Sequence, residues 1–362
     1  YSNLINNSTI NFSGKHTVGI YGKETNIVNN NLINLENSEN GIGLYGKLAN
    51  SSLARKNEIF NAGNIKIGKN GIGIYADTKR DYDYYTSSML VNNSGNITGA
   101  GDNAVGIYIN NVTNSSYVTS TLTLNSTSNI DVKNSKNGIG IYADTFGITG
   151  TNAGTITVGE NGVGVYVKNG TTTLNNLTLN LHGDNTVGIY TDGTNSFTGN
   201  GTVNVDGKGV VVFNVLGSGA FNQNFNITST SGSSYTLANI KDTTLYSNSN
   251  SNLAENGIFI NGNNSAVLLG LNSNLSSTGA NIAGIALNGA YSGGIPVTIN
   301  GEILNQEATN QGIMSFGDNS TGIYVVNGAS AENQGTITLG DNSVGIYGKG
   351  IGTGVSNISE IN

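Results

Sequence analysis

The chain has 362 residues, a net charge of −7, only 10% charged residues, a single proline (Pro296) and neither Cys nor Trp. Without Cys there is no disulfide framework, no thiolate metal site and no Cys nucleophile. Charge spread this thinly, with no Lys/Arg cluster, excludes nucleic acid as a partner.

Asn makes up about one residue in six, with Gly, Ser and Thr close behind. Such a polar, low-charge composition points toward disorder unless something supplies a core. Here a phrase supplies it, and it recurs along the chain. A turn on His16 leads to VGIY at Tyr21. NGIGLY follows at Tyr45, NGIGIY at Tyr75, NAVGIY at Tyr108, NGIGIY at Tyr142, NGVGVY at Tyr166, NTVGIY at Tyr190, NSTGIY at Tyr324 and NSVGIY at Tyr347. Several copies lie roughly 23 or 24 residues apart and others roughly 30 to 37, a short period with insertions that marks a solenoid.

The repeat reads most clearly in Asn333–Gly348, with a near-copy in Asn152–Val167. Ile337 and Leu339 alternate with Thr336 and Thr338. After the turn, Val344 and Ile346 alternate with Gly345 and Tyr347. Period two predicts two short strands with these four aliphatics inward and Tyr outward, and the remainder of the coil leaves room for a third strand. The predicted fold is all-β: one solenoid over 1–362, a parallel β-helix with about three strands per coil of ~24 residues. A helical reading fails because Gly and β-branched residues crowd the apolar stretches. Antiparallel hairpins, which Asn-Gly pairs also mark, are the competing reading.

Three stretches break the period: loop insertions at 76–93 and 109–130, and irregular coils over 214–316, where GVVVFN at Phe213, NGIFI at Phe259 and IAGIALN at Leu287 read as worn copies. The first insertion mixes charge with aromatics. Arg80, Tyr82, Asp83, Tyr84 and Tyr85 are the candidate ligand-binding residues, because Tyr gives broad contact at small entropy cost and Arg gives directed donors. Asp81 and Asp83 are a weak signal for calcium, and no metal or other cofactor is predicted.

The asparagines before each phrase (Asn40, Asn70, Asn103, Asn137, Asn161, Asn185, Asn319 and Asn342) read as turn residues, since Asn tolerates the left-handed conformation. Tyr21, Tyr45, Tyr75, Tyr108, Tyr142, Tyr166, Tyr190, Tyr324 and Tyr347 form an outward row, either self-stacking or offering a strip to a ligand. No catalytic residue stands out. His16 and His182 read as occupying corresponding places before the phrase. The turn position of Asp102, Asp184, Asp318 and Asp341 carries Lys69, Lys136 or Glu160 elsewhere, as solvated surface does.

The phrase N-[GST]-[VI]-G-[IV]-Y, with its companion [NQ]-x-G-x-I-x-[VIL]-G, resembles the passenger repeats of large fusobacterial autotransporter adhesins of the type V secretion class. The resemblance covers most of Tyr1–Tyr190 and Ser320–Gly348. It implies a right-handed β-helix on the bacterial cell surface, held to the outer membrane through a β-barrel absent from this segment. It also implies attachment to a host-cell glycan or receptor, or to a partner bacterium. The ends, which start and stop in mid-pattern, are read as those of a piece of a longer protein. The expected function is adhesion without catalysis. A polysaccharide-cleaving enzyme on the same architecture and a spacer with no ligand of its own are the alternatives.

Overall fold

The computed structural model describes residues 2–48, 56–78, 87–110, 121–144, 147–253 and 257–362. Every regular element among them is a β-strand. The chain divides into two compact units, Tyr1–Thr186 and Val187–Asn362.

In unit 1 the predicted three-strand coil is present. One coil runs through Lys56–Asn61, Asn64–Ile67 and Ile72–Asp77; the next runs through Ser88–Asn93, Asn96–Gly99 and Val105–Asn110. Pairing is parallel and sets like on like: Asn61 with Asn93, Ile65 with Ile97, Tyr75 with Tyr108. Each coil thereby covers the apolar face of the last, which a single coil cannot do for itself. Ile65, Ile74, Ile97, Ile107, Ile130 and Ile141 form a fully buried core.

The insertions are narrower than 76–93 and 109–130. Ala76 and Asp77 complete one tyrosine strand and Ser88–Asn93 begins the next coil. Likewise Ile109 and Asn110 complete a strand, and Thr121–Leu124 and Asn129–Val132 are strands of their own. Burial explains the difference: Ala76, Val91, Ile109, Leu122 and Ile130 all face the core, so their backbone stays in the coil.

The VGIY phrase does not alternate as expected. Ile72, Val105 and Ile139 are half-buried on the outer side, while the following Gly and aliphatic are both buried. The strand bends at the glycine, and the ladder passes from Ile72–Val105 directly to Ile74–Ile107. A Cβ on Gly106 would lie 2.5 Å from the Gly140 carbonyl oxygen and 2.5 Å from Ile130 Cγ2, so only Gly allows this approach. Val344 therefore faces out, 42% exposed, contrary to the period-two reading, whereas Ile337 is fully buried.

All eight turn asparagines take positive φ, between 53° and 59°. His16 fills the same slot at φ 55°, but His182 does not correspond to it: His182 ends the strand Val163–His182, ahead of Asn185. Exposed amides stack along these turns, with Asn103 Nδ2 donating to Asn70 at 2.9 Å and Asn137 Nδ2 to Asn103 at 3.1 Å.

A second ladder lies inside. Asn6 donates to Asn29, Asn29 to Asn61 and Asn61 to Asn93, each at 2.8 Å, and Asn93 donates to Ser128 Oγ at 2.7 Å. Asn29, Asn61 and Asn93 are wholly buried. Asn93 also donates to the Gly95 carbonyl at the coil corner, where the backbone turns away from its ladder partners.

Unit 2 keeps the parallel coil across most of 214–316, through strands such as Tyr235–Lys241, Ile258–Asn263 and Ala283–Asn288. The worn phrases are out of step with the reading above. Phe213 pairs with Ile189 and is buried, and Asn214 pairs with Tyr190. Phe259 is likewise buried, and Leu287 pairs with Gly262, so Asn261 and Ala286 stand in the tyrosine line. The apolar side sets the register, so a large ring goes inward wherever it falls.

One element here is antiparallel. Val297–Ile299 and Glu302–Leu304 form a hairpin about Asn300 and Gly301, at φ 50° and 85°. Ile299 and Leu304 pack on Ala266 and Leu268, beside Tyr246 and Tyr291. Buried Glu307 ties in the segment that follows, accepting from the Ser330 hydroxyl and from the Ser330 backbone N–H at 2.9 Å.

Candidate functional site

The most regular surface of unit 1 is the outer side of the tyrosine strands. Tyr45, Tyr75, Tyr108, Tyr142 and Tyr166 are brought into one row by register alone. Two residues on, the same side carries a second row: Lys47, Asp77, Asn110, Asp144 and Lys168. Ile42, Ile72, Val105, Ile139 and Val163 form an apolar margin on the other flank.

Ring geometry decides what this row can offer. Tyr108 and Tyr142 lie 4.7 Å apart at 5°, and Tyr142 and Tyr166 lie 4.9 Å apart at 5°. Rings stacked in this way turn their faces toward one another, leaving edges and hydroxyls for a partner. The stack is broken between Tyr75 and Tyr108, which meet at 75°, and between Tyr21 and Tyr45, at 59°. At those breaks a ring face is less covered.

The flanking charges are paired. Asp77 accepts from Lys47 at 3.0 Å and from the Tyr45 hydroxyl at 3.3 Å. Lys168 sits 3.8 Å from Asp144. Burial pushes the Tyr45 phenol up to about 12, and the Asp77 carboxylate adds to the shift. Burial raises Tyr75 and Tyr108 as well, followed by the fields of Asp77 and Asp144 respectively. These phenols are neutral donors at any physiological pH.

Of the residues singled out in the sequence, Tyr21 and the five tyrosines above come together in unit 1. In unit 2, Tyr324 and Tyr347 stack at 5.2 Å and 2°. Tyr190 begins a line that continues through Asn214 and Asn239, not through rings. Asn70, Asn137, Asn161 and Asn342 all belong to the turns. Arg80, Tyr82, Asp83, Tyr84 and Tyr85 lie outside the described residues. The turn carboxylates serve the backbone: Asp318 Oδ1 accepts from the Asp341 N–H at 2.8 Å, and Asp102 Oδ1 accepts from the Lys136 N–H at 3.3 Å. Among the described residues, no three His, Cys, Asp or Glu side chains are grouped so as to hold a metal ion.

The inner asparagines were the residues hardest to read from sequence. Asn61, Asn93, Asn310 and Asn333 share the pattern N-x-G, but Asn152 shares it too and is exposed.

No family model matches the chain, and no curated protein sequence matches it. Among solved structures, the A-module of the mannuronan C-5 epimerase AlgE6 from Azotobacter vinelandii is similar over 91% of this chain and 90% of that chain, at 11% identity and a TM-score of 0.29. A likeness that distant assigns nothing to this chain.

Proposed function

We propose that the chain is a passenger segment of a type V autotransporter adhesin, displayed on the bacterial outer membrane. In this reading it binds a glycan or surface receptor of a host cell or partner bacterium, catalyses nothing, and is anchored through a β-barrel outside this sequence. The observation that carries the reading is the double row of unit 1, tyrosines beside paired Lys and Asp. Tyrosine gives wide contact with few rotors, and a row repeats the same weak contact at every coil, so that avidity builds along it. A hydrolase would want an unpaired carboxylate pair across a bond. Here Asp77 and Asp144 are each engaged by a lysine and are separated by the coil of Asn110.

Ring stacking favours a second reading, a spacer whose tyrosines only brace the coils. Attachment of beads carrying the segment to epithelial cells and to other bacteria separates the two. The variant with Tyr75, Tyr108 and Tyr142 all changed to Ser should keep its β circular dichroism and lose attachment by about tenfold or more. Attachment unchanged by that variant would leave the row a structural brace.

A further inference from the structure

The tyrosine line of unit 2 has a gap. Ala286 stands in register between Asn261 and Tyr324, and Ala283 between Ile258 and Thr321. Two methyl groups thus floor a coil whose neighbours carry larger side chains. The result is a cleft of about 330 Å³, walled by Ile258 and Asn261 on one side and by Thr321 and Tyr324 on the other, with Asn288 at its end. That volume is at the small end of the ~300–1,000 Å³ range of ligand pockets.

Tyr324 differs here from the tyrosines of unit 1. Its ring is stacked on Tyr347 on one side only, and on the other its register partner is Ala286, too short to cover it. Tyr324 as a whole residue is 37% exposed. An open aromatic face thus looks into a cleft edged by two amides and a hydroxyl. The Asn261 amide makes one long hydrogen bond, 3.5 Å to Asn239. Asn288 is held firmly, donating to Asn263 at 3.2 Å and accepting from Asn327 at 2.7 Å.

From this juxtaposition we infer that the cleft is a binding site for a single pyranose residue of a glycan. The apolar C–H face of the sugar lies on the Tyr324 ring, and its equatorial hydroxyls reach Asn261, Asn288 and Thr321. An apolar wall with a few convergent polar groups is the composition of small-ligand sites, and a pyranose has the matching division into an apolar face and a polar edge. A flat apolar peptide side chain would offer nothing to the hydrogen-bonding capacity that the single long bond of Asn261 leaves open, at a cost to binding. The inference names a ligand class for the adhesin reading and rests on it only for biological context.

The test uses the full 362-residue chain and free methyl glycosides of glucose, galactose, mannose and N-acetylglucosamine. Saturation-transfer NMR should show magnetisation passing to the C–H face of at least one sugar. Two variants fill the cleft with residue types that the same rows carry in other coils, Ala286→Tyr and Ala283→Ile, so folding is preserved by precedent and checked by circular dichroism. Either variant, and Tyr324→Ala, should abolish transfer. The triple Ser variant of the unit 1 row should leave it intact, so that loss of cell attachment and loss of sugar binding are read separately. Transfer to none of the sugars, or transfer that survives both filled variants, would overturn the inference.

Discussion

Replacing Ile337 with Asp should cost several kcal/mol of stability, whereas the same change at Val344 should stay within about 0.5 kcal/mol. Ile337 is fully buried between coils, paired with Met314 and Ile361. A carboxylate there meets hydrocarbon and must pay for desolvation or take up a proton. Val344 lies on the outer side, and its register partner in the preceding coil is Thr321, already polar. The two variants differ only in which side of the wall receives the charge, and thermal melts followed by circular dichroism compare them directly. The Ile337→Asp loss should shrink as pH falls toward ~4, because the buried carboxyl has a raised pKa and its burden is full only above that value. Equal melting temperatures for the two variants would mean that the inward side has been misassigned.

Asn93→Leu should destabilise unit 1 although leucine fits the column. The residue after Asn93 in that column is Leu124, so the neighbouring coil already accepts leucine there. The cost is one of partners. Asn61 Nδ2 loses its acceptor at Asn93, and the Gly95 carbonyl loses a donor. Each buried group left unpaired costs about 1–3 kcal/mol. Ser128 suffers less, since a hydroxyl can turn and donate elsewhere. A urea midpoint unchanged by Asn93→Leu would show that the inner ladder contributes nothing net.

These two cases mark how far the sequence could be read. The VGIY phrase declares the coil because a solenoid stacks each residue on its own copy, so repetition in sequence is repetition in space. The turn asparagines were equally legible, since positive φ favours Gly, Asn and Asp over other residues. Val344 departs from the alternation because strict period two assumes a straight strand, and the bend at the glycine places two consecutive residues inward. Asn93 escaped because polar residues are read as surface, although a ladder of amides can satisfy itself inside a wall. Phe213 and Phe259 looked like worn tyrosines. Pairing shifts them inward, and the true occupants of the line are Asn214, Asn261 and Ala286. The hairpin at Asn300–Gly301 had its signal in plain view, an Asn-Gly pair between two β-rich runs. The solenoid period around it masked a local exception. The cleft at Ala286 was the least visible feature, because a missing side chain in one coil has meaning only once the neighbouring rows are known.

The tyrosine row underlies both the fold and the adhesive reading, and the native chain allows it to be tested without mutation. Photo-oxidation joins tyrosines in direct contact as dityrosine, and mass spectrometry of the digested protein identifies the pairs. In-register stacking predicts Tyr45–Tyr75, Tyr108–Tyr142 and Tyr142–Tyr166 as the dominant links in unit 1, with Tyr324–Tyr347 in unit 2. Links such as Tyr75–Tyr142, which skip a coil, should be rare. Skipped pairs as frequent as neighbouring ones, or no dityrosine within the row, would contradict it.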